Sequence, residues 1–345
     1  MKLRPGLRVL ERGPGTVQFG ADQRWATVLT GLTSAETDVL RRLAGPDPVV
    51  GAELLRRCRP SAGAPVDPER LSELLAALTR SGLLTAVPPG PLPVGSGAAD
   101  DVRSAACTAT DGDGARVVAA RARAVVAVVG LGRVGMVLAD TLASAGVGTL
   151  ALDDARQVRA GDVGIGGLRD RHVGRARAEG AAEVLSGRYP ALRVGGDGQA
   201  PDVVVVVFDE VADSVRTVRL MVEGVAHLVV TVREGDVVVG PFVLPGQTPC
   251  TTCLDCRRTE LDPLWPRVRD QLRDAAVQLP PAQESSTAAA SGALAAAQVL
   301  AHLDGRRPVT AGACIEVSAP DAVPRLREWS MHPDCGCVDV SPPQR

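Results

Sequence analysis

Residues 124–154 read AVVAVVGLGRVGMVLADTLASAGVGTLALDD, and the fold follows from them. An apolar strand runs into Gly130-Leu131-Gly132-Arg133-Val134-Gly135. A helix rich in Ala and Leu follows, then a second apolar strand, Thr149 to Leu152, ending in Asp153 and Asp154. Glycines at these spacings permit a tight turn and let backbone N–H groups approach a phosphate at a helix N-terminus. Asp154 lies 19 residues beyond Gly135, close to the spacing at which an acidic side chain holds a ribose hydroxyl. A lone GxGxxG would equally describe a turn that serves packing alone. Set in strand–turn–helix–strand–Asp, it points to a nucleotide.

Further along, strands and helices keep alternating. Helix Gly174–Ser186, strand Val203–Phe208, a helix near Ala212–Glu223 and strand Leu228–Val232 lead through Asp236–Leu244 into a cysteine-bearing segment. This alternation predicts an α/β fold, Rossmann-like, with a mostly parallel sheet, right-handed crossovers and helices on both faces, over residues 116–338.

Residues 1–85 read as a separate unit. Leu7–Leu10 and Thr16–Phe19 form a hairpin across Gly13-Pro14-Gly15, and a helix runs from Ser34 to near Gly45. A short helix is expected over Val49–Arg57. Asp67-Pro68 then opens a helix over Glu69–Ser81, with Leu71, Leu74, Leu75 and Leu78 on one face. Two strands and three helices suggest a small winged-helix-like α+β domain. Its 12 basic and 9 acidic side chains are too balanced for a strong DNA footprint, so peptide or protein docking is expected, and no nucleic acid. Residues 86–115, with Pro88-Pro89-Gly90-Pro91, Gly95-Ser96-Gly97 and Asp111-Gly112-Asp113-Gly114, read as a flexible linker.

The 345 residues allow two domains, and a hydrophobic content of 45% suffices for a core. A net charge of −2 gives no global pull toward nucleic acid or anionic membrane. The sole lysine, Lys2, leaves no P-loop lysine and no Schiff-base or general-base lysine in the folded body, so any fixed cation at a phosphate site must be arginine. Met1-Lys2-Leu3-Arg4-Pro5-Gly6 leads into no apolar targeting core, and the Ala-rich stretch Ser286–Leu303 carries Ser, Thr, Gln and His, which suits a buried helix. A cytoplasmic protein without membrane contact is expected, in which cysteine pairs serve metal or redox chemistry.

The run Ala145-Gly146-Val147-Gly148-Thr149-Leu150 into Asp154 resembles the ThiF/MoeB/HesA superfamily, relatives of ubiquitin-activating enzymes. The strand ending at Asp209 agrees, as does Gly240-Pro241-Phe242-Val243-Leu244-Pro245-Gly246-Gln247-Thr248-Pro249-Cys250-Thr251-Thr252-Cys253 with a cysteine pair near the C-terminus. The resemblance covers roughly residues 120–338. It implies an adenylating fold that takes ATP and Mg, usually as a homodimer and often with a structural zinc. Carried over, Gly130, Gly132 and Gly135 cradle phosphates, Asp154 takes the ribose, and Asp209 serves magnesium or acid chemistry. For Asp209 the local alternative is a helix N-cap.

The chain also departs from the pattern. Arg156 stands where the family has a second Asp, and Asp162, Ile165 and Gly166 replace an Asn-x-x-Arg-Gln cluster. The family lysine falls on Arg177, and an additional turn glycine is Arg133, which either reaches a phosphate or plugs the nucleotide site. The departures, with Asp162-Val163-Gly164-Ile165-Gly166-Gly167-Leu168 and His332-Pro333-Asp334-Cys335-Gly336-Cys337, are similar to a divergent branch, the ThiF-like leader-binding proteins of azole-forming peptide clusters.

Cys250 and Cys253, with the distant pair Cys335 and Cys337, can offer four thiolates to a tetrahedral zinc; buried free thiols or a redox pair are the alternative. Cys256 extends the motif and could replace one ligand. Cys58, Cys107 and Cys314 have no partner spacing, and the absence of cysteine between Asp209 and Cys250 leaves no thioester nucleophile. His172, His227, His302 and His332 are scattered and read as structural.

Two functions compete. One is adenylation of the carboxylate of a small carrier protein or ribosomal peptide, with Asp209 and Arg177 as catalytic candidates. The other is an inactive scaffold that presents a leader peptide to a partner modifying enzyme. A nicotinamide-dependent oxidoreductase is disfavoured, because no hydride-transfer acid–base pair is visible.

Overall fold

The computed structural model describes residues 2–4, 6–23, 26–43, 66–85, 98–109, 111–195 and 198–337. Two compact units result, Met1–Ala119 and Ala120–Arg345.

In the first unit β1 (Lys2–Leu3) pairs with β5 (Leu84–Thr85), and β2 (Val9–Gly13), β3 (Thr16–Phe19) and β4 (Thr27–Leu29) form an antiparallel sheet. The expected hairpin is present and gains a third strand. Helix α1 (Ser34–Arg42) starts where the sequence allows a reciprocal cap. The Glu36 N–H donates to Thr33 Oγ1 at 3.2 Å and the Thr33 N–H donates to Glu36 Oε2 at 2.7 Å. Helix α2 (Pro68–Arg80) is capped by Asp67 and buries Leu71, Leu74 and Leu78, the face its leucine spacing implied, against Val17, Phe19 and Leu40. The helix expected over 49–57 lies outside the described residues.

Of the stretch 86–115 read as a flexible linker, residues 86–97 and 110 lie outside the described residues, and much of the described remainder is helical. Residues Ala98–Thr108 form α3 and Gly114–Arg121 form α4. The proline and glycine clusters punctuate only the ends of these segments, and AADDVRSAACT between them holds neither residue. Val102, Ala115 and Val118 form a small core there, and Cys107 is helical.

The second unit is built on eight described strands in the order β13-β12-β11-β10-β9-β6-β7-β8. They are β6 (Val125–Val129), β7 (Thr149–Asp153), β8 (Arg193–Val194), β9 (Val203–Asp209), β10 (His227–Val232), β11 (Asp236–Val243), β12 (Ala313–Ser318) and β13 (Val323–Glu328). Strands β8, β7, β6, β9 and β10 are parallel; β11, β12 and β13 extend the sheet antiparallel. Helices α5 (Arg133–Ser144), α6 (Arg177–Arg188) and α10 (Ser285–Leu303) cover one face with Val126, Val128, Val205 and Val230. On the other face lie α7 (Ser214–Val222) and α8 (Thr251–Leu261), followed by α9 (Trp265–Gln278). Burial on both sides explains why the central strands read as continuous apolar runs rather than alternating ones. Helix α10 is the buried Ala-rich helix expected from composition, packed along α5.

Candidate functional site

From β6 the chain moves one way, to β7 and β8, then returns to the opposite side of β6 as β9. This reversal opens a crevice outside the carboxyl ends of β6 and β9, where ligands of open α/β sheets bind. The crevice measures about 550 Å³. Gly130 ends β6 with φ of 95°, and a Cβ there would stand 2.7 Å from the Val207 carbonyl oxygen. A Cβ on Gly135 would fall 1.9 Å from the Gly130 carbonyl oxygen, so both positions demand glycine. Gly132 is the N-cap of α5, which starts at this turn.

Asp154, one residue past β7, is buried and fully engaged. Its Oδ2 accepts from the Leu131 N–H at 2.8 Å, Arg156 Nη2 at 2.9 Å and Arg177 Nη1 at 3.4 Å. Its Oδ1 accepts from the Arg156 N–H at 3.1 Å and Arg156 Nε at 2.8 Å. Burial works against its charge, but the Arg156 and Leu131 hydrogen bonds and the two guanidinium charges outweigh it and hold its pKa below the ordinary carboxylate value. The resulting stability is complete at neutral pH and is lost as pH falls through and below that ordinary range.

Arg156 also reaches across the crevice, donating from Nη1 to Asp209 Oδ2 at 2.8 Å. One guanidinium therefore bridges the acids that end β7 and β9, and those contacts raise its pKa, the Asp154 hydrogen bond most of all. The local alternative for Asp209 is excluded: α7 is capped by Asp213, whose carboxylate accepts from the Val215 N–H at 2.9 Å. Asp153, Asp154, Asp209 and Asp213 on the crevice wall face Arg156, Arg216 and Arg273.

Arg177 is not on that wall. It is buried at the start of α6, forked onto Asp162 with distances of 2.7 to 3.0 Å, and touches Asp154 from behind. Arg133 does not line the crevice; it donates to the carbonyl oxygens of Gly161 at 2.6 Å and Gln283 at 3.0 Å and to Ser285 Oγ at 3.0 Å. It fastens the loop before α10 to the start of α5. Gln283 Oε1 accepts from the Val134 N–H at 3.2 Å. Sequence reasoning missed Arg156 and Asp162 as site members and missed Gln283 altogether. An arginine two residues after a strand-end acid was the available signal for the first; the other two rest on long-range pairing that no local spacing encodes.

Cys250 precedes α8, Cys253 lies in its first turn, and Cys335 and Cys337 come from the C-terminal segment. Their sulfurs all lie within 4.8 Å of one another. The pairs 250–335, 253–337 and 250–253 are 3.4, 3.3 and 3.9 Å apart. Tetrahedral thiolates at a metal–sulfur bond of about 2.3 Å would be ~3.8 Å apart, so the set fits a metal such as zinc. Hydrogen bonds from Cys250, the His332 N–H and Cys337 hold the Cys253 thiol below its ordinary value. Cys256 is not part of this group of four. Cys314 is buried beneath it, its thiol pushed up to about 12 by burial. The histidines have structural partners, His172 on Glu183 and His332 on Glu260.

A parallel sheet with a glycine turn, a strand-end acid and a cleft at the point of strand reversal defines a nucleotide-crevice fold of the Rossmann kind. The sequence matches the ThiF family over residues 114–337, and the chain belongs to that family. Escherichia coli MccB with ATP superposes at a TM-score of 0.73 and 15% identity, over 98% of this chain and 99% of that one. MccB with AMPCPP and MccA gives 0.71 and 15%, over 97% and 98%. PaaA gives 0.69 and 15%, over 94% and 99%. At such identities the likeness is one of fold. No curated protein matches the chain in sequence. Among the described residues no helix is long and apolar enough to cross a membrane.

Proposed function

We propose that this chain binds ATP in the crevice after β6 and adenylates the carboxylate of a ribosomal peptide or small carrier protein. The observation that carries the reading is the glycine turn, Asp154 and Asp209 gathered around one crevice at the strand reversal. Family membership supports it, as do fold neighbours whose structures hold ATP or AMPCPP with MccA. In the reaction a substrate carboxylate oxygen attacks the α-phosphorus, the bond to the bridging β-phosphate oxygen breaks, and pyrophosphate leaves with the electron pair. The Gly130–Gly135 turn and the α5 N-terminus hold phosphate through N–H groups. Asp154 takes the ribose. Arg156 swings from the two carboxylates to the phosphates and supplies the fixed cation, while Arg177 positions Asp154 from behind. Asp209, once released by Arg156, is the carboxylate suited to magnesium, which would neutralise developing phosphate charge. Residues 1–85 dock the peptide, and a homodimer in the cytoplasm completes the reading.

The test is peptide-dependent exchange of labelled pyrophosphate into ATP. Wild type is expected to exchange. Arg156→Ala is expected to bind ATP more weakly by about 1–3 kcal/mol, the scale of hydrogen bonds to a charged group. A specific observation favours the rival, a non-catalytic scaffold that presents a leader peptide to a partner modifying enzyme: in the described geometry Arg156 occupies the Asp154 oxygens that a ribose needs. Under that reading wild type neither binds ATP nor exchanges, and Arg156→Ala gains ATP binding.

We assign the four-thiolate cluster to a structural zinc; four protein ligands leave no open position for catalysis. Protein purified without chelator is expected to carry one zinc per chain, and Cys253→Ser to lose both the metal and part of its thermal stability. Metal analysis checks this; a metal-free protein with an unchanged melting curve contradicts it.

A further inference from the structure

Beside the crevice lies a smaller chamber of about 130 Å³ between β10–β11 and α8–α9. The two share Val211 in their walls. An engineered cavity of about 150 Å³ holds one benzene, so this chamber takes one side chain and no nucleotide. Its charged groups are Glu210, Arg233, Asp255, Arg258 and Arg269, with Trp265 beside them.

Most of these groups are already satisfied. Arg233 donates to both oxygens of Asp236, at 2.6 and 2.5 Å. Arg269 donates to Asp255 at 3.3 Å and to Asp270 at 3.2 Å. Asp255 also accepts from Trp265 Nε1 at 3.0 Å. Arg258 differs. Its nearest carboxylate, Asp255, is 3.8 Å away, and its guanidinium makes no hydrogen bond among the described residues. The guanidinium carbon lies 4.9 Å from the Trp265 ring centre and 5.7 Å from that of Trp329. Stacking engages the flat face of a guanidinium and leaves its in-plane N–H donors for a ligand. Burial most of all, with the nearby charges of Arg233 and Arg327, works against this cation and lowers its pKa, although the Asp255 carboxylate partly offsets them.

Glu210, the one chamber carboxylate apart from Asp255, is buried at a left-handed φ of 62°. Strained backbone of this kind persists where the surroundings over-determine it, often at ligand sites. Burial first, then the carboxylates of Glu234, Asp209 and Asp236, raise its pKa against the pull of Arg233.

We propose that this chamber receives the side-chain carboxylate of one aspartate or glutamate of the bound peptide, with Arg258 as its main ligand. The inference rests on the peptide-activating reading above and adds a substrate preference to it: an acidic residue near the reacting carboxylate.

The probe is N-acetyl-L-aspartate α-amide, titrated calorimetrically into the full chain without nucleotide, against N-acetyl-L-asparagine amide of the same shape. The aspartate derivative is expected to bind saturably at millimolar concentration. The asparagine derivative, and the aspartate derivative on Arg258→Met, are expected to bind at least about tenfold more weakly. Arg258→Lys should retain part of the affinity. Equal binding of the two probes, unchanged binding by Arg258→Met, or no saturable heat overturns the proposal. Should Arg258→Met fail to fold, the acid-over-amide preference of wild type decides alone. A parallel ATP titration separates the two claims: acid bound without ATP removes the adenylation reading and keeps the chamber, and ATP bound without acid removes the chamber only.

Discussion

Arg177→Ala is expected to destabilise the Ala120–Arg345 unit by about 3–5 kcal/mol, the cost of removing one partner from a buried ion pair. Asp162 would keep its charge with only the Arg159 contacts left, and Asp154 would lose its rear neighbour. For a unit of this size such a loss lowers Tm on the order of 10 °C. Arg177→Lys should recover little, because a point ammonium cannot reproduce the two-pronged contact with Asp162. Urea denaturation of the full chain checks this. A cost below about 1 kcal/mol, the level of an exposed pair, would mean that the network contributes little to stability.

Asp154→Ala should have two large effects. Three donor groups converge on this carboxylate: the Leu131 N–H, Arg156 and Arg177. The buried Leu131 N–H is left without its acceptor, while Arg177 keeps Asp162 and Arg156 keeps Asp209, so the cost in stability is about 1–3 kcal/mol. The ribose contact is lost as well, weakening ATP by a further ~1–3 kcal/mol. Asp154→Asn keeps an acceptor for Leu131 but not the charge between two arginines, so it should fold better than the alanine variant and still bind ATP poorly. Melting curves and ATP titrations on the two variants separate the structural from the ligand-binding share. Wild-type ATP affinity in a folded Asp154→Asn would remove Asp154 from the nucleotide site.

The β6–turn–α5–β7 unit was legible because its glycines are dictated locally: Gly130 by a left-handed φ and Gly135 by a carbonyl 1.9 Å from where a Cβ would stand. The cysteine cluster was legible because thiols have few uses and two pairs at paired spacing leave little choice. The antiparallel extension through β12 and β13 was not. β13 reads VPRLRE and every residue is exposed, so no apolar alternation marks it. α3 was masked by the proline and glycine clusters on either side of it. The largest gap lies in the crevice itself. Arg133 and Arg177 look alike in sequence as displaced phosphate cations, yet one fastens loops together and the other is buried on Asp162. Arg156, noted only as a departure from a pattern, holds both strand-end acids. Which carboxylate an arginine meets depends on tertiary placement, and a long flexible side chain leaves no periodic trace of it.

The proposed function requires the crevice after β6 to be a working nucleotide site. Calorimetric titration of ATP, with magnesium, into the intact chain tests it most directly. Saturable binding of one ATP per chain is expected, lost in Asp154→Asn. No detectable heat from wild type at millimolar ATP would contradict it, and would leave the glycine turn as a packing feature of a scaffold whose crevice is closed by Arg156.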